Sequence, residues 1–214
     1  MIDATPTEVT SSDGVLLICR GDVPALAALA IEADPARVVL WHPQESGTRG
    51  ERRAAAAAQL GRAYGVREGL ALAAPVLGLP SRPTPGGVGV PALLVQATVI
   101  AMQTGCDRIV WPIACGTAFD AVATAFDQAN LAATLVESDP NQRRRAFDLP
   151  VADLSDEQIA DLVDDAGAPV TAAWPCDHAG TDPCGSCSEC VRWHAAFRSR
   201  GRLWPWRTAA PVPV

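Results

Sequence analysis

Short apolar segments alternate with helix-forming segments along residues 15–138, and this alternation restricts the chain to few architectures. Each apolar segment is flanked by turn residues, as expected of strands that are buried on both faces. Strands are predicted at residues 15–19, 37–41, 70–77, 108–115 and 133–138. Strands that alternate with helices predict an α/β fold with a mostly parallel, doubly wound sheet.

The segments between these strands have helical composition and recognisable ends. Pro24 suits a first helical turn, Gly65 suits a C-terminal cap, and Ser155 with Gln158 fits a capping box. Helices are predicted at residues 24–33, 51–65, 91–105, 118–130 and 153–167. Residues 78–91 are rich in Pro and Gly and predict a long loop.

Ligands of parallel α/β sheets bind at the carboxyl ends of the strands, near the point where the strand order reverses. The expected walls of a site are therefore the loop after Cys19, the segment after Trp41 and the turn after Cys115. Cys19, Cys106 and Cys115 stand in apolar surroundings, which favours inert thiols. A functional role stays open as an alternative for Cys19 and Cys115, which end strands where a site is expected. His42 follows the second strand, but the residues alone identify no catalytic residue there.

The charge of the chain argues against several classes of partner. The net charge is −7, all 17 basic residues are arginines, and Schiff-base lysine chemistry is excluded. An acidic chain is a poor binder of nucleic acid, so no nucleic-acid partner is expected. No apolar run reaches the length of a membrane span, and the first residues are polar and acidic. We therefore expect a cytoplasmic protein without a membrane partner.

The spacing C-x7-C-x2-C-x2-C near the end of the chain predicts a metal site. The four cysteines are Cys176, Cys184, Cys187 and Cys190. Thiolates clustered in this way hold zinc tetrahedrally and leave no open position for water, so the site is expected to be structural. An iron–sulfur cluster makes similar demands on its ligands and stays open as an alternative, while a redox dithiol needs only one C-x-x-C.

The residues around these cysteines, CDHAGTDPCGSCSECVRWHAAF, resemble the C-terminal segment of the 7-cyano-7-deazaguanine synthase family, including Arg192 soon after the last cysteine. The likeness extends to SGTRGERRAAAAAQLGRAYG, where Gly47 and Arg49 stand at matching positions, and to the apolar helix and strand of residues 91–116. The resemblance implies an adenine nucleotide alpha hydrolase-like domain over residues 1–170, a zinc-binding segment over residues 171–214, and a homodimer.

The same resemblance implies a purine-like ligand, ATP and Mg²⁺. Members of the family bind ATP through S-G-G-x-D-S after the first strand and convert 7-carboxy-7-deazaguanine and ammonia to the nitrile. Here that loop reads Arg20-Gly21-Asp22-Val23-Pro24, and the nucleotide-contacting residues are expected to be Arg20, Gly21 and Arg49. An Arg-Asn pair is replaced at residues 90–93, and Asp156 stands where a basic residue is usual.

Two functions follow as hypotheses. One is a divergent 7-cyano-7-deazaguanine synthase, an ATP-dependent carbon–nitrogen ligase. The other is a non-catalytic homologue that keeps the fold and the zinc site and binds another small molecule or a protein partner. A zinc-containing binder of nucleic acid is disfavoured by the acidic charge.

Overall fold

The computed structural model of the protein describes residues 14–45, 47–68, 87, 89–136 and 145–206. In this part of the chain one sheet contains five strands: β1 (Gly14–Ile18), β2 (Val38–Trp41), β3 (Arg67–Glu68), β4 (Cys106–Val110) and β5 (Ala146–Asp148). The strand order is β3-β2-β1-β4-β5, and every pairing is parallel. The predicted α/β fold with a parallel, doubly wound sheet is confirmed.

The helices cover both faces of the sheet because successive strand residues point to opposite sides. They are α1 (Val23–Ile31), α2 (Gly47–Tyr64), α3 (Val90–Thr104), α4 (Phe119–Val136), α5 (Asp156–Asp165) and α6 (Ser188–Ser199). Val15 and Leu17 of β1 share a buried cluster with residues of α1, α2, α5 and α6. Leu16 and Ile18 belong to a second cluster with residues of α3 and α4.

The order of the strands reverses at β1, which pairs with β2 on one side and with β4 on the other. Backbone hydrogen bonds continue past the ends of these strands: Cys19 N–H donates to the Trp41 carbonyl over 2.7 Å, and Trp111 N–H donates to the Asp148 carbonyl over 2.9 Å. The carboxyl ends of β1 and β4 therefore stand together, and this switch-point edge is where a ligand site is expected.

Several helix ends agree with the sequence signals. Ser155 caps α5 in a complete capping box with Gln158, as predicted. Gly65 follows α2 with a φ of 63°, and Gly105 caps α3 with a φ of 69°, left-handed conformations that favour glycine.

Two predicted boundaries are wrong. Residues 133–136 are the last turn of α4 and not a strand, because Ala125, Ala129, Ala132 and Ala133 form one buried helical face. The strand predicted at residues 108–115 ends at Val110, shortly before a proline that has no N–H for the ladder. The strand predicted at residues 70–77 and nearly all of the loop predicted at residues 78–91 lie outside the described residues.

The C-terminal segment packs on the α/β body. Trp193 and Phe197 of α6 and Trp206 are buried in the same cluster as β1 and α1, and Trp206 Nε1 donates to the Ala173 carbonyl over 2.7 Å. The division of the chain near residue 170 stays a prediction. Over the described ranges, no helix combines the length and the apolar character needed to cross a bilayer.

Candidate metal centre and switch-point site

The four predicted cysteines come together in one cluster, in which all four sulfur atoms lie within 4.8 Å of one another. Cys187 Sγ is 3.8 Å from Cys176 Sγ, and Cys184 Sγ is 4.0 Å from Cys190 Sγ. A tetrahedral ion with metal–sulfur bonds of about 2.3 Å places its sulfurs about 3.8 Å apart. The cluster can therefore hold one metal ion, and its donor set is compatible with zinc.

Local backbone geometry points N–H groups at these sulfurs. Cys187 N–H donates to Cys184 Sγ over 3.3 Å, and Cys190 N–H donates to Cys187 Sγ over 3.4 Å. Gly185, inside the first C-x2-C turn, has a φ of 72° and supplies the left-handed residue that the turn needs. Cys187 is also the N-cap of α6, so the metal cluster fixes the start of that helix.

One of the thiols is poised to bind as a thiolate. Cys184 is exposed, and the slight desolvation that would raise the pKa of its thiol is outweighed by hydrogen bonds from the N–H groups of Ser186 and Cys187, which lower the pKa to about 6. The thiolate is the form that binds metal. His178 and His194 are exposed and lie outside the group of candidate ligands that the described residues form.

A narrow cavity lies at the switch-point edge, next to the metal cluster. Its wall contains three arginines, three tryptophans and two acids: Arg20, Arg53, Arg192, Trp111, Trp174, Trp193, Asp22 and Glu189. Its volume is about 40 Å³, whereas pockets for small organic ligands are roughly 300–1,000 Å³. A cavity therefore lies at the predicted position of the site, but the side chains that line it leave little free volume.

Arg20 and Arg49, two of the predicted nucleotide-contacting residues, both reach the carboxylate of Glu45. Arg20 donates from Nε over 3.0 Å and from Nη2 over 2.7 Å to Glu45 Oε1. Arg49 Nε lies 3.5 Å from Glu45 Oε2, and Arg53 Nη1 lies 3.3 Å from Oε1. The Glu45 side chain is only 2% exposed. The structure thus brings three arginines around one internal carboxylate.

The charge of this cluster is fixed by its neighbours. Burial alone would raise the pKa of Glu45, but the guanidinium groups of Arg20 and Arg53 outweigh burial and hold the pKa below its ordinary value. Burial and the charge of Arg53 lower the pKa of Arg20, while Glu45 opposes them. A guanidinium stays protonated in proteins, so the cluster contains an ionised carboxylate among cations at neutral pH.

Gly21, the third predicted nucleotide-contacting residue, packs against helix α2. Its φ is 71°, and a Cβ atom at this position would lie 2.4 Å from the Arg53 carbonyl oxygen. The Gly21 carbonyl accepts a hydrogen bond from Trp174 N–H over 2.7 Å. Because Gly21 has no Cβ atom, the loop after β1 can lie against α2. The backbone of α2 then fills the space that a Cβ atom of residue 21 would need.

The N-terminus of α1 also carries a carboxylate of the protein itself. Asp22 is the N-cap, and its Oδ1 accepts a hydrogen bond from Ala25 N–H over 3.1 Å. A helix N-terminus in this position of an α/β sheet is where a phosphate group commonly binds. In this chain the capping carboxylate stands at that end of the helix.

The two candidates at the strand ends, His42 and Cys19, both have pKa values that burial shifts toward the neutral form. His42 Nδ1 lies 2.8 Å from the Cys19 carbonyl oxygen, so Nδ1 carries the proton; burial lowers the pKa of His42. Its Nε2 is buried without a hydrogen-bond partner among the described residues. Burial raises the pKa of the Cys19 thiol to about 12, which keeps it protonated, as expected of an inert thiol.

Arg192 links the metal-bearing helix to α5. Its Nε donates to Asp156 Oδ2 over 2.6 Å, and Nη1 donates to Glu189 Oε2 over 3.2 Å. Asp156, which stands where the resembling family has a basic residue, therefore neutralises the arginine that follows the last cysteine.

Sequence reasoning missed Glu45, Arg53, Trp174 and Asp177. Arg53 Nη2 lies 3.3 Å from Asp177 Oδ1, across 124 positions of the chain. No short motif connects such residues. They come together only because the fold places β1, α2 and the segment that carries the four cysteines next to one another. A weak signal existed, since Glu45 directly precedes the matching stretch and Asp177 directly follows a predicted ligand.

Comparisons with known proteins identify a family for this chain. The family model described as Queuosine biosynthesis protein QueC matches residues 92–201, a range that runs from α3 to the end of α6. A protein of Methanosarcina mazei, 7-cyano-7-deazaguanine synthase, is 38% identical over 52 residues. That similarity covers 24% of this chain and 22% of the relative, so it spans about a fifth of the length of each.

Proposed function

The chain belongs to the family of the queuosine biosynthesis protein QueC, and from this membership we propose that it has a 7-cyano-7-deazaguanine synthase-like role. The proposed reaction is the ATP-dependent conversion of 7-carboxy-7-deazaguanine and ammonia to the nitrile. In this proposal ATP first activates the carboxylate as an adenylate with release of pyrophosphate, and ammonia then displaces AMP to form the amide. A second ATP activates the amide oxygen, and loss of that oxygen with AMP gives the nitrile. Mg²⁺ would accompany ATP.

The observation that carries this proposal is the composition of the cavity at the switch-point edge. Guanidinium groups bind carboxylates and phosphates in defined geometry, and indole rings pack against planar heterocycles. Arg53, Arg192 and Trp174 line one cavity, which supports a planar, purine-like acid as ligand. Because the cavity is small, this ligand requires the walls to separate before it enters.

We further propose that the ion of the metal centre is zinc and that its role is structural. The sulfur–sulfur distances support a single tetrahedral ion, whereas in a [4Fe–4S] cluster each thiolate binds a different iron and the sulfurs stand further apart. Four thiolates complete the coordination of the ion, so it would stabilise the tail without activating water.

A second candidate is a non-catalytic homologue that keeps the fold and the metal site and binds another small molecule or a protein partner. The specific observation in its favour is that Asp22 and Glu45 place carboxylates where the phosphates of a nucleotide would bind. Like charges this close weaken anion binding. This candidate predicts no adenylate chemistry.

Titration with ATP and Mg²⁺ by calorimetry, followed by pyrophosphate release with 7-carboxy-7-deazaguanine and ammonia, separates the two candidates. The synthase-like role predicts acid-dependent release that Arg192→Met lowers at least tenfold. Arg198→Met is the matched control, because Arg198 is exposed on the same helix and does not line the cavity. Wild-type protein that binds no ATP and releases no pyrophosphate would rule out the synthase and leave the homologue.

A further inference from the structure

The arginine cluster at the switch-point edge is built like an oxyanion site. Its members are Arg20 from the loop after β1, and Arg49 and Arg53, one turn apart on α2. All three have a guanidinium nitrogen within 3.5 Å of a Glu45 carboxylate oxygen. The side chains of Arg20 and Arg53 are 6% and 3% exposed. Guanidinium groups converging in this way are typical of carboxylate and phosphate recognition.

Glu45 occupies this site as a tethered anion. The backbone of Glu45 is pressed against α2, since a Cβ atom on Gly50 would lie 2.0 Å from the Glu45 carbonyl oxygen. Its side chain reaches back to Arg20 across 25 positions of the chain. A buried cationic cluster needs a compensating negative charge, and here the protein supplies it from a residue just ahead of α2.

We propose that Arg20, Arg49 and Arg53 form a binding site for a small oxyanion, in which the Glu45 carboxylate is a built-in competitor of a free phosphate or carboxylate. The adjoining cavity, lined by Arg20 and Arg53, has a volume of about 40 Å³. That volume corresponds to roughly three water molecules, which suits a phosphate-sized group and not a whole nucleotide. The proposal goes beyond the synthase-like role and does not depend on ATP chemistry.

Among the described residues, Asp22 and Asp177 are acids next to this site that reduce its strength. Asp177 Oδ1 lies 3.3 Å from Arg53 Nη2, and Asp22 adds its negative charge near Arg20. With Glu45 in place, the cluster is neutralised, and we expect the wild-type protein to bind phosphate weakly. Once Glu45 is replaced by a neutral residue, the arginines lose the carboxylate that they share, and we expect an anion from solution to take its place.

The experiment measures thermal unfolding of Glu45→Gln and wild-type protein in potassium phosphate and in potassium chloride at equal ionic strength. At ten times the dissociation constant, phosphate is expected to raise the Tm of Glu45→Gln by about 4 °C over chloride. Wild-type protein is expected to shift by less than about 1 °C. Acetate and sulfate arms distinguish a carboxylate site from a site for tetrahedral oxyanions.

Glu32→Gln is the matched control, because Glu32 also pairs with an arginine, Arg108, at a partly exposed position away from the cluster. Its Tm should respond equally to phosphate and chloride. If Glu45→Gln unfolds at the same temperature in both salts, or if Glu32→Gln shows the same phosphate shift, the proposal is wrong.

A direct measurement covers the case in which Glu45→Gln folds poorly. Glu45→Ala removes both the charge and most of the side chain, and calorimetric titration with inorganic phosphate should give at least tenfold tighter binding than in wild-type protein. Adding Arg53→Met to the same chain should remove that binding. Equal affinity of Glu45→Ala and wild-type protein would overturn the proposal.

Discussion

The metal centre and the switch-point edge lie side by side, but they differ in whether the protein itself supplies the charge that balances the cluster. At the metal centre four sulfurs stand at the spacing of one tetrahedral ion. At the switch-point edge the arginine cluster already contains the carboxylate of Glu45, and the carboxylate of Asp22 caps α1. The first region can therefore take up an ion from solution, whereas the second contains its own counter-charges.

The two regions are also physically connected. Asp177 follows the metal ligand Cys176 directly and reaches Arg53 of the arginine cluster over 3.3 Å. Trp174, two positions before Cys176, donates its backbone N–H to Gly21. The metal loop therefore holds one wall of the switch-point cavity, and a change in either region should be detectable in the other.

Loss of the metal is expected to have the largest effect. Cys187→Ser removes one ligand and the N-cap of α6, and zinc sites contribute about 10 kcal/mol or more to folding in small domains. We expect metal content by elemental analysis to fall from one ion per chain to near zero and the Tm to drop by more than 10 °C.

Cys115→Ser is the control for this prediction, since Cys115 is partly buried and lies outside the metal cluster. It should keep one ion per chain. A Cys187→Ser protein that retained its metal and melted with the wild type would show that the tail is not held by this cluster.

The second-largest loss of stability is expected when the contact between the two regions is removed. Arg53→Met keeps most of the side-chain volume but removes the ion pairs to Glu45 and Asp177. Removal of one partner of a buried pair typically costs about 4 kcal/mol, and urea unfolding measures the loss. Because the Asp177 carboxylate also loses its ion pair with Arg53 and, among the described residues, keeps only the hydrogen bond from Ser188, zinc should dissociate faster in competition with a chelator. Arg108→Met, at a half-exposed ion pair, should cost less than about 1 kcal/mol.

The tight contact at the loop after β1 can be tested with two glycines. Gly21→Ala and Gly65→Ala both place alanine at a positive φ, but a Cβ atom meets the Arg53 carbonyl only at Gly21. We expect losses of about 3 kcal/mol for Gly21→Ala and about 1 kcal/mol for Gly65→Ala in urea unfolding. Equal losses would mean that α2 is free to move away from the loop, which would open the anion site.

The metal centre could be predicted from the sequence because its ligands lie within 15 consecutive residues and their type and spacing already define the chemistry. The sheet could be predicted for a similar reason. Buried parallel strands such as β1 and β2 are continuous apolar runs, and the capping box at Ser155 marks its helix by local hydrogen bonds alone.

The switch-point edge could be located but not described. Gly21 was predicted to contact a nucleotide, and only the approach of α2 shows that its missing Cβ makes room for the Arg53 carbonyl. Likewise Arg20 and Glu45 are separated by 25 positions, and nothing local indicates that they pair. The last turn of α4 was mistaken for a strand because its short apolar run has no periodicity that separates strand from helix.

Acid should weaken the switch-point edge before it changes the rest of the sheet. The pKa of Glu45 is depressed in the folded protein, so its contribution is complete above the unfolded pKa of about 4.3 and is lost as the pH falls through the folded value. The stability advantage of wild-type protein over Glu45→Gln should therefore shrink below about pH 4, by about 1.4 kcal/mol for each unit of depression. Urea unfolding of both proteins from pH 7 to pH 3 measures this difference, and loss of metal affects both alike.

The smallest effect is expected where the two regions meet at Arg192. Asp156→Asn removes one of two acidic partners, and since Glu189 remains and Asp156 is 28% exposed, the loss should be about 0.5–1 kcal/mol and should decrease in 1 M salt. Asp161→Asn, at a more exposed pair on the same helix, should cost still less. A loss of 2 kcal/mol or more that salt does not reduce would mean that Asp156 acts on Arg192 as Glu45 acts on Arg20. The C-terminal segment would then also contain an arginine whose charge is balanced by a carboxylate of the protein itself.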